Sequence, residues 1–249
     1  MSKFNFRNKK SLSIYIPFGF PSIEGSIKLI KELNNNSKVD FIEIGFPYSD
    51  PLADGSVIQE ASQIAIANGS NLTLLFSKLI KIKGKINKPI ILMGYLNIVE
   101  NFGSEKFYKK CRESGISAVI IPDLPLEIYL KKHKLYSQKH SINIIFIVTP
   151  STNKKRVKKL AAYSKPFLYV TSSNMTTGNK LSNQANLEMF LKEINSIKTP
   201  KMVGFGIDSK NTLKNVWRIA DGGIVGSNYI KSIQDGINTN TYLDNIIPN

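Results

Sequence analysis

The sequence predicts an α/β protein in which a parallel sheet closes into a (β/α)8 TIM barrel. Apolar, β-branched runs of strand length alternate with segments of helical periodicity along the chain. Strict alternation implies parallel strands joined by right-handed crossovers, and eight such units close a barrel. A barrel of this kind typically has about 250 residues, and this chain has 249. We therefore expect residues 1–249 to form a single domain.

Eight runs carry the strand pattern, and seven intervening segments carry the helical pattern. We predict strands over residues 14–18, 41–46, 90–95, 118–122, 142–148, 167–171, 202–205 and 223–226. We predict helices over residues 23–34, 56–82, 105–114, 127–138, 154–163, 187–197 and 210–220. No Gly/Ser-rich or Pro-rich linker divides this series, which agrees with one continuous barrel.

The run 41–46 is the most informative because it carries a carboxylate inside an apolar strand. The strand period of two puts Glu43 on the same face as Phe41 and Gly45. A strand that is apolar on both faces is typical of a parallel sheet covered by helices, so this carboxylate is expected to be desolvated. Desolvation raises the pKa of a carboxyl group and suits it to general acid or base chemistry, although a buried Glu can also be a satisfied structural residue.

The turn after this strand adds Asp50 and Asp54 at the expected carboxyl end of the sheet. Asp before Pro or Gly is common in turns, so neither residue alone indicates catalysis. Their combination with Glu43 in one short segment is more informative than any one of the three carboxylates.

The ends of the last two predicted strands carry a phosphate-binding pattern. Barrel enzymes commonly hold phosphate with the loops after strands 7 and 8. Here one strand ends in Gly204-Phe205-Gly206, and the next ends in Gly226-Ser227 and opens a helix. Backbone N–H groups and a helix N-terminus can therefore converge on one dianion. The sequence predicts phosphate contacts at Gly206, Gly226 and Ser227. The alternative is that these glycines only tighten turns.

The net charge of +16 raises the question of nucleic-acid binding. Only four of the 34 basic residues are Arg, and the lysines are spread over every predicted helix. Nucleic-acid sites favour Arg for bidentate contacts to bases and phosphates. We therefore expect no nucleic-acid partner and interpret the lysines as solvated helix faces.

The remaining composition favours a cytoplasmic protein without a metal site. No apolar run approaches the roughly 20 residues needed to cross a bilayer, and the first residues lack the apolar core of a secretory signal. The single cysteine, Cys111, is expected to serve packing. His133 and His140 fall on or near a Lys-rich helix, so we expect both imidazoles to be exposed.

Several motifs together resemble one known family. The segment 43–61, which begins E-I-G-F-P-Y-S-D-P-L-A-D-G, is similar to the hallmark of the tryptophan synthase α subunit. The motifs I-P-F-G-F-P at 16–21, L-M-G-Y at 92–95, I-P-D-L-P at 121–125, G-F-G-I at 204–207 and G-S at 226–227 resemble the family's successive strand ends in the same order. The resemblance extends from about residue 13 to about residue 236.

The resemblance implies a lyase of tryptophan biosynthesis that cleaves indole-3-glycerol phosphate into indole and glyceraldehyde 3-phosphate by a retro-aldol reaction. It implies that Glu43 transfers protons at indole C3 and at the glycerol hydroxyl. It also implies that Asp54 stabilises the positive charge that develops at indole N1–H. The two carboxylates then need different environments, apolar for the first and more polar for the second. Neither a metal nor an organic cofactor is required.

The resemblance also assigns residues that bind the substrate. By matching positions, the flat apolar slot for indole is lined by Tyr15, Leu92, Ile120, Ile147, Tyr169 and Phe205, with core packing as the alternative for each. Gly178 joins the phosphate cradle, and Thr177 closes the strand-6 loop onto Asp54. That loop departs from the family pattern S-R-x-G-V-T-G, because S-S-N-M-T-T-G at 172–178 lacks the Arg and the first Gly.

The implied partner is a β subunit that depends on pyridoxal phosphate and receives indole, in a complex of two α and two β chains. Two alternatives remain open at this point. One is another barrel acting on a phosphorylated metabolite, such as an isomerase of histidine or tryptophan synthesis. The turn S-D-P-L-A-D-G at 49–55 and the strand end P-D-L-P at 122–125 argue against it. The other is a degraded chain kept as an allosteric binding partner, which the altered strand-6 loop permits.

Overall fold

The computed structural model describes residues 4–6, 10–49, 55–171, 180–204 and 206–248, with the backbone alone at 180–183. Within these ranges nine parallel strands form one sheet. They are β1 Ser11–Pro17, β2 Phe41–Gly45, β3 Ile90–Met93, β4 Ile116–Ile120, β5 Asn143–Ile145, β6 Ile147–Val148, β7 Leu168–Thr171, β8 Lys201–Gly204 and β9 Gly222–Val225. Their spatial order is β5-β4-β3-β2-β1-β9-β8-β7-β6. Because β5 and β6 follow each other in the chain, the sheet is a nearly closed barrel, and the predicted TIM barrel is confirmed.

The structure divides the fifth predicted strand, residues 142–148, into β5 and β6. Phe146 separates the two, and its N–H donates to the Ser164 hydroxyl at 2.9 Å instead of entering the strand ladder. The carbonyl of Phe146 still accepts the N–H of Tyr169 at 3.0 Å. The predicted number of eight strands therefore becomes nine in the described residues, because one side chain captures a ladder donor.

Helices cover the outside of this sheet. They are α1 Ile23–Asn35, α2 Ser56–Ala67, α3 Leu72–Ile82, α4 Leu96–Phe102, α5 Ser104–Glu113, α6 Leu126–Ile128, α7 Lys134–Lys139, α8 Lys154–Tyr163, α9 Lys180–Glu193, α10 Lys210–Ile219, α11 Ser227–Gln234 and α12 Thr239–Ile246. A π-helical turn at Tyr129–His133 joins α6 to α7, and a 3₁₀ turn at Lys83–Lys85 follows α3. None of the helices in the described ranges is long and apolar enough to cross a membrane.

The prediction of one helix over residues 56–82 is wrong, because the structure has two. Gly69 adopts a φ of +78°, which ends α2 in the left-handed region that favours glycine. Asn71 then caps α3 by accepting the N–H of Leu74 at 3.0 Å. The Asn68 amide donates to the carbonyl of Gly19 at 3.0 Å, which ties the break to the loop after β1. The N-G-S-N sequence at 68–71 carries both signals.

Strand alternation separates the apolar side chains into two clusters. The outer cluster lies between the sheet and the helices and includes Ile42, Ile44 and Leu92. The inner cluster fills the barrel and includes Ile91 and Ile120.

Aromatic rings close the amino-terminal end of the barrel. The Phe4 and Phe6 rings lie 5.1 and 5.3 Å from the ring of Phe41, and Phe6 lies 6.0 Å from Phe167. Phe41 begins β2, and Phe167 precedes β7. This end of the barrel is therefore filled by apolar side chains, which leaves the carboxyl ends of the strands for a site.

The helix around residue 133 corrects one prediction, while Cys111 confirms another. Cys111 is fully buried, and burial raises the pKa of its thiol well above the usual value. His133 was expected at the surface but is fully buried, with Nε2 2.9 Å from Glu100 Oε1 and Nδ1 3.2 Å from the Tyr108 hydroxyl. Tyr129, His133 and Ser137 recur every four residues on the buried face, so position outweighs the surrounding lysines. His140 is half-buried.

Candidate active site

A cavity of about 170 Å³ lies at the carboxyl-terminal end of the barrel. Gly206 follows β8, Gly226 and Ser227 follow β9, and Met93 ends β3, so residues at several strand ends line it. In TIM-barrel enzymes this is the end that carries the active site. The filled amino-terminal end and the open carboxyl-terminal end agree with that arrangement.

Glu43 lies in the middle of β2 and lines the cavity. Its side chain is fully buried. It is in register with Tyr15 on β1 and with Ile91 on β3, so the carboxyl group lies between an aromatic and an aliphatic neighbour. The alternation seen in the sequence therefore predicted the correct face for this carboxylate.

Two tyrosines occupy space that glycines leave open. A Cβ atom added to Gly45 would lie 2.1 Å from Tyr15 Oη, and one added to Gly204 would lie 2.1 Å from Tyr169 Oη. Real Cβ atoms essentially never approach other atoms below 3.0 Å. The two phenol rings therefore lie over these glycines, and both rings line the same cavity as Glu43.

The end of the cavity near β8 and β9 has the features of an anion site. Gly206 adopts a φ of +75°, a conformation that glycine allows without strain. Gly226 precedes α11, which begins at Ser227. The first N–H groups of a helix lack partners within the helix and point out of its N-terminus, where they favour a negative charge.

Of the 13 predicted site residues, the structure brings six together, places three elsewhere and does not describe the other four. The six that line the cavity are Tyr15, Glu43, Tyr169, Gly206, Gly226 and Ser227. Ile120 is buried in the inner cluster, and Ile147 packs against that cluster, but neither lines the cavity. Asp54, Thr177, Gly178 and Phe205 lie outside the described residues.

The structure does not bring Leu92 to the cavity. Leu92 is fully buried in the outer cluster, whereas the next residue, Met93, lines the cavity. A shift of one residue along a strand turns the side chain to the opposite face. Met93 is in register with Gly45 and Ile120, so it shares their inward face.

Several residues that line the cavity were not predicted from the sequence. Ile58 and Ile224 add apolar surface, and Asn228 and Lys231 add polar groups from α11. Asn228 follows the predicted Ser227 directly, and Lys231 lies three residues further along the helix. The helical period places such residues on one face, so this signal was present in the sequence.

A TIM barrel with a buried carboxyl group and two phenol rings in a cavity at its carboxyl-terminal end has the architecture of a barrel enzyme. The helix that begins beside this cavity adds backbone donors suited to an anionic substrate. The fold and the cavity thus define the class of the protein.

Comparisons with known proteins identify the family. The chain matches the model of the family Tryptophan synthase alpha chain over residues 1–245. The tryptophan synthase alpha chain of Karelsulcia muelleri (strain GWSS) is 47% identical over 231 residues, which cover 92% of this chain and 90% of that protein. The structure of tryptophan synthase subunit alpha from Campylobacter jejuni is similar, with a TM-score of 0.85 and 34% identity over 99% of this chain and 98% of that chain. A structure of tryptophan synthase from M. tuberculosis gives a TM-score of 0.81 at 26% identity, over 92% of this chain and 87% of that chain.

The chain therefore belongs to the tryptophan synthase alpha chain family. It is a carbon–carbon lyase that cleaves indole-3-glycerol phosphate in tryptophan biosynthesis. The resemblance seen in the motifs is confirmed, and the alternative of an isomerase acting on another phosphorylated metabolite is set aside.

Proposed function

We propose that Glu43 is the group that donates a proton to indole C3 when the bond to the glycerol chain breaks. Its full burial and its position in the cavity wall support this role. A carboxyl group removed from water is more readily protonated at neutral pH, which is the state that a general acid requires. The same group accepts the proton of the glycerol hydroxyl as the aldehyde forms.

The indole ring lies between the two phenols of Tyr15 and Tyr169 and the apolar side chains of Met93 and Ile224. All four side chains line the cavity that contains Glu43. Aromatic side chains offer a flat apolar surface to a planar ring, in stacked or edge-to-face contact. The six-residue slot inferred from the family thus keeps its tyrosines, while Met93 takes the role assigned to Leu92.

The phosphate group lies at the other end of the cavity, next to Gly206, Gly226 and Ser227. The left-handed backbone at Gly206 and the N-terminus of α11 support this assignment. Gly178 completes the cradle, and Asp54 supplies the carboxylate next to indole N1–H. Phe205 and Thr177 complete the slot and the closing loop.

The product indole passes to a β subunit that depends on pyridoxal phosphate, in an α2β2 complex. The designation of the family as an alpha chain supports a second, different chain. We assign the protein to the cytoplasm, where a biosynthetic enzyme of this kind meets its phosphorylated substrate.

Release of indole from indole-3-glycerol phosphate tests the proposal. Glu43→Gln keeps the shape of the side chain and removes the acidic proton, so we expect cleavage to fall by about 10²–10⁴-fold. Glu105→Gln is the matched control, because Glu105 is exposed and pairs with Lys139 on the outer helices. Each protein is assayed alone and with a β subunit, and circular dichroism verifies that each variant is folded.

Equal indole release by the folded Glu43→Gln variant would remove the proposed proton donor. A wild-type chain that binds the β subunit but releases no indole under either condition would favour the binding-partner alternative. Indole that requires Glu43 and increases with the β subunit would establish both the chemistry and the coupling.

A further inference from the structure

Two side chains of α11 line the phosphate end of the cavity beside the backbone donors. Asn228 and Lys231 both contribute to the cavity wall, next to Gly226 and Ser227. They are three residues apart, so they project from the same face of the helix. A residue with an amide group and a residue with an ammonium group therefore border the proposed position of the dianion.

The amide of Asn228 has a fixed orientation. The Tyr242 hydroxyl, on α12, donates a hydrogen bond to Asn228 Oδ1 at 2.7 Å. Tyr242 is buried, and burial raises the pKa of its phenol well above the usual value, so the hydroxyl keeps the proton that it donates. Because Oδ1 is engaged on the side of α12, the two Nδ2–H donors remain for the cavity.

Tyr242 is itself held in place by its neighbours. Its ring lies 5.0 Å from the ring of Tyr229, which is fully buried. The Tyr229 hydroxyl lies 2.9 Å from Thr239 Oγ1, and Thr239 donates to Glu32 Oε2 at 2.5 Å. This network joins α12 to α1 and α11. A side chain locked by such supporting contacts presents its donors without a further loss of rotamer entropy.

The charges of the residues around the cavity also indicate a role for Lys231 in binding an anion. Glu43 and Asp208 are acidic residues that line the cavity, and Lys231 is the one basic residue among the described lining residues. An approaching phosphate meets unfavourable charge from Asp208. A cation on the next helix offsets that repulsion and attracts the dianion.

We propose that the Asn228 amide and the Lys231 ammonium group bind the substrate phosphate together with the backbone donors, and that Tyr242 is a positioning residue for Asn228. The inference rests on the proposed phosphate site. Helix α12 then influences the affinity for the phosphorylated substrate through the Tyr242 hydroxyl group, which does not contact the reacting carbon.

Kinetics and binding of a simple phosphate ester separate this role from a structural one. We expect Asn228→Ala to raise KM for indole-3-glycerol phosphate and Kd for glycerol 3-phosphate by about tenfold, the value of a hydrogen bond to a charged group. Lys231→Gln should raise both by about two- to fivefold and weaken their dependence on salt. In both variants kcat and the Kd for indole, which lacks phosphate, should remain at the wild-type value.

Tyr242→Phe tests the positioning role because it removes a single oxygen atom. We expect KM and the Kd for glycerol 3-phosphate to increase in the wild-type background, with no further increase in the Asn228→Ala background. A structural role of Tyr242 would instead give the same change in both backgrounds. Lys214→Gln, which removes an exposed charge from α10, is the control for Lys231→Gln.

Three results would overturn the inference. Wild-type KM and glycerol 3-phosphate binding in both Asn228→Ala and Lys231→Gln would exclude phosphate contacts while the proposed function stands. Equal effects of Tyr242→Phe in the two backgrounds would exclude the positioning role. A wild-type chain that does not bind glycerol 3-phosphate would remove the proposed phosphate site and the inference with it.

Discussion

The substitution Gly45→Ala tests whether the Tyr15 ring depends on an empty space at the end of β2. An added Cβ atom would lie 2.1 Å from Tyr15 Oη, 2.7 Å from Cζ and 2.9 Å from Cε2. Ordinary contacts begin at 3.4 Å, so the hydroxyl oxygen must retreat by about 1.3 Å, the difference between 3.4 Å and 2.1 Å. The Tyr15 side chain is only 8% exposed, so packed neighbours oppose this movement except on the side of the cavity that the residue lines.

The displacement should reduce both stability and activity. Overpacking of this kind costs about 1–3 kcal/mol, and for a chain of this size it lowers Tm by roughly 2–4 °C per kcal/mol. A misplacement of about 1 Å in an active site can reduce the rate by about 10²-fold. We therefore expect Gly45→Ala to lose about 2 kcal/mol of unfolding free energy and roughly two orders of magnitude in kcat/KM.

Urea denaturation and indole release measure the two effects. Gly84→Ala is the matched control, because a Cβ atom there meets no other atom within 4 Å. A double-mutant cycle with Tyr15→Leu assigns the cause, since leucine lacks the hydroxyl oxygen and the two ring carbons that the new methyl group would meet. In that background Gly45→Ala should cost little stability. A full cost in both backgrounds, or wild-type stability and activity in Gly45→Ala alone, would refute the proposed contact.

Two further predictions concern His133 and β3. Desolvation lowers the pKa of His133 below its ordinary value of 6.5, and this effect is larger than the opposing effect of Glu100. As the pH decreases, His133 therefore takes up a proton in the unfolded chain before it does so in the folded chain. The free energy of unfolding consequently falls as the pH decreases through 6.5. Urea unfolding between pH 7 and pH 5 should show a steeper loss for wild type than for His133→Gln, and parallel curves would contradict this. Leu92→Ala should cost about 2–5 kcal/mol of stability with KM unchanged, whereas Met93→Ala should chiefly raise KM. The reverse pattern in unfolding and kinetic assays would show that Leu92 faces the substrate.

The periodicity of the sequence was sufficient to predict the barrel and the face of β2 on which Glu43 lies. A carboxylate in an apolar strand marks its own face, because the polar atom must point toward a functional or hydrogen-bonded environment. The strand Ile90–Met93 offers no such mark, since all four of its residues are apolar and buried. The face of Met93 is set by pairing with Gly45 on the neighbouring strand, and that pairing is a tertiary contact.

The errors in the helices have local causes that can be stated. The break between α2 and α3 follows from Gly69 and the cap at Asn71, signals that a continuous apolar pattern concealed. The burial of His133 follows from four-residue spacing with Tyr129, although the lysine content of the segment indicated exposure. In both cases a specific position carried more information than the average composition around it.

The glycines at the strand ends explain why the cavity has its shape. Tyr15 on β1 leans over Gly45 on β2, and Tyr169 on β7 leans over Gly204 on β8. Each tyrosine is in register with the residue two positions before that glycine, so each ring inclines along its strand toward the carboxyl end. A side chain at either glycine would push the phenol into the space that the substrate needs. These glycines therefore serve packing rather than flexibility. Where a tyrosine on one strand is followed by a glycine on the next strand, two positions beyond the residue in register with the tyrosine, we expect the ring to form part of the cavity wall at the mouth of the barrel.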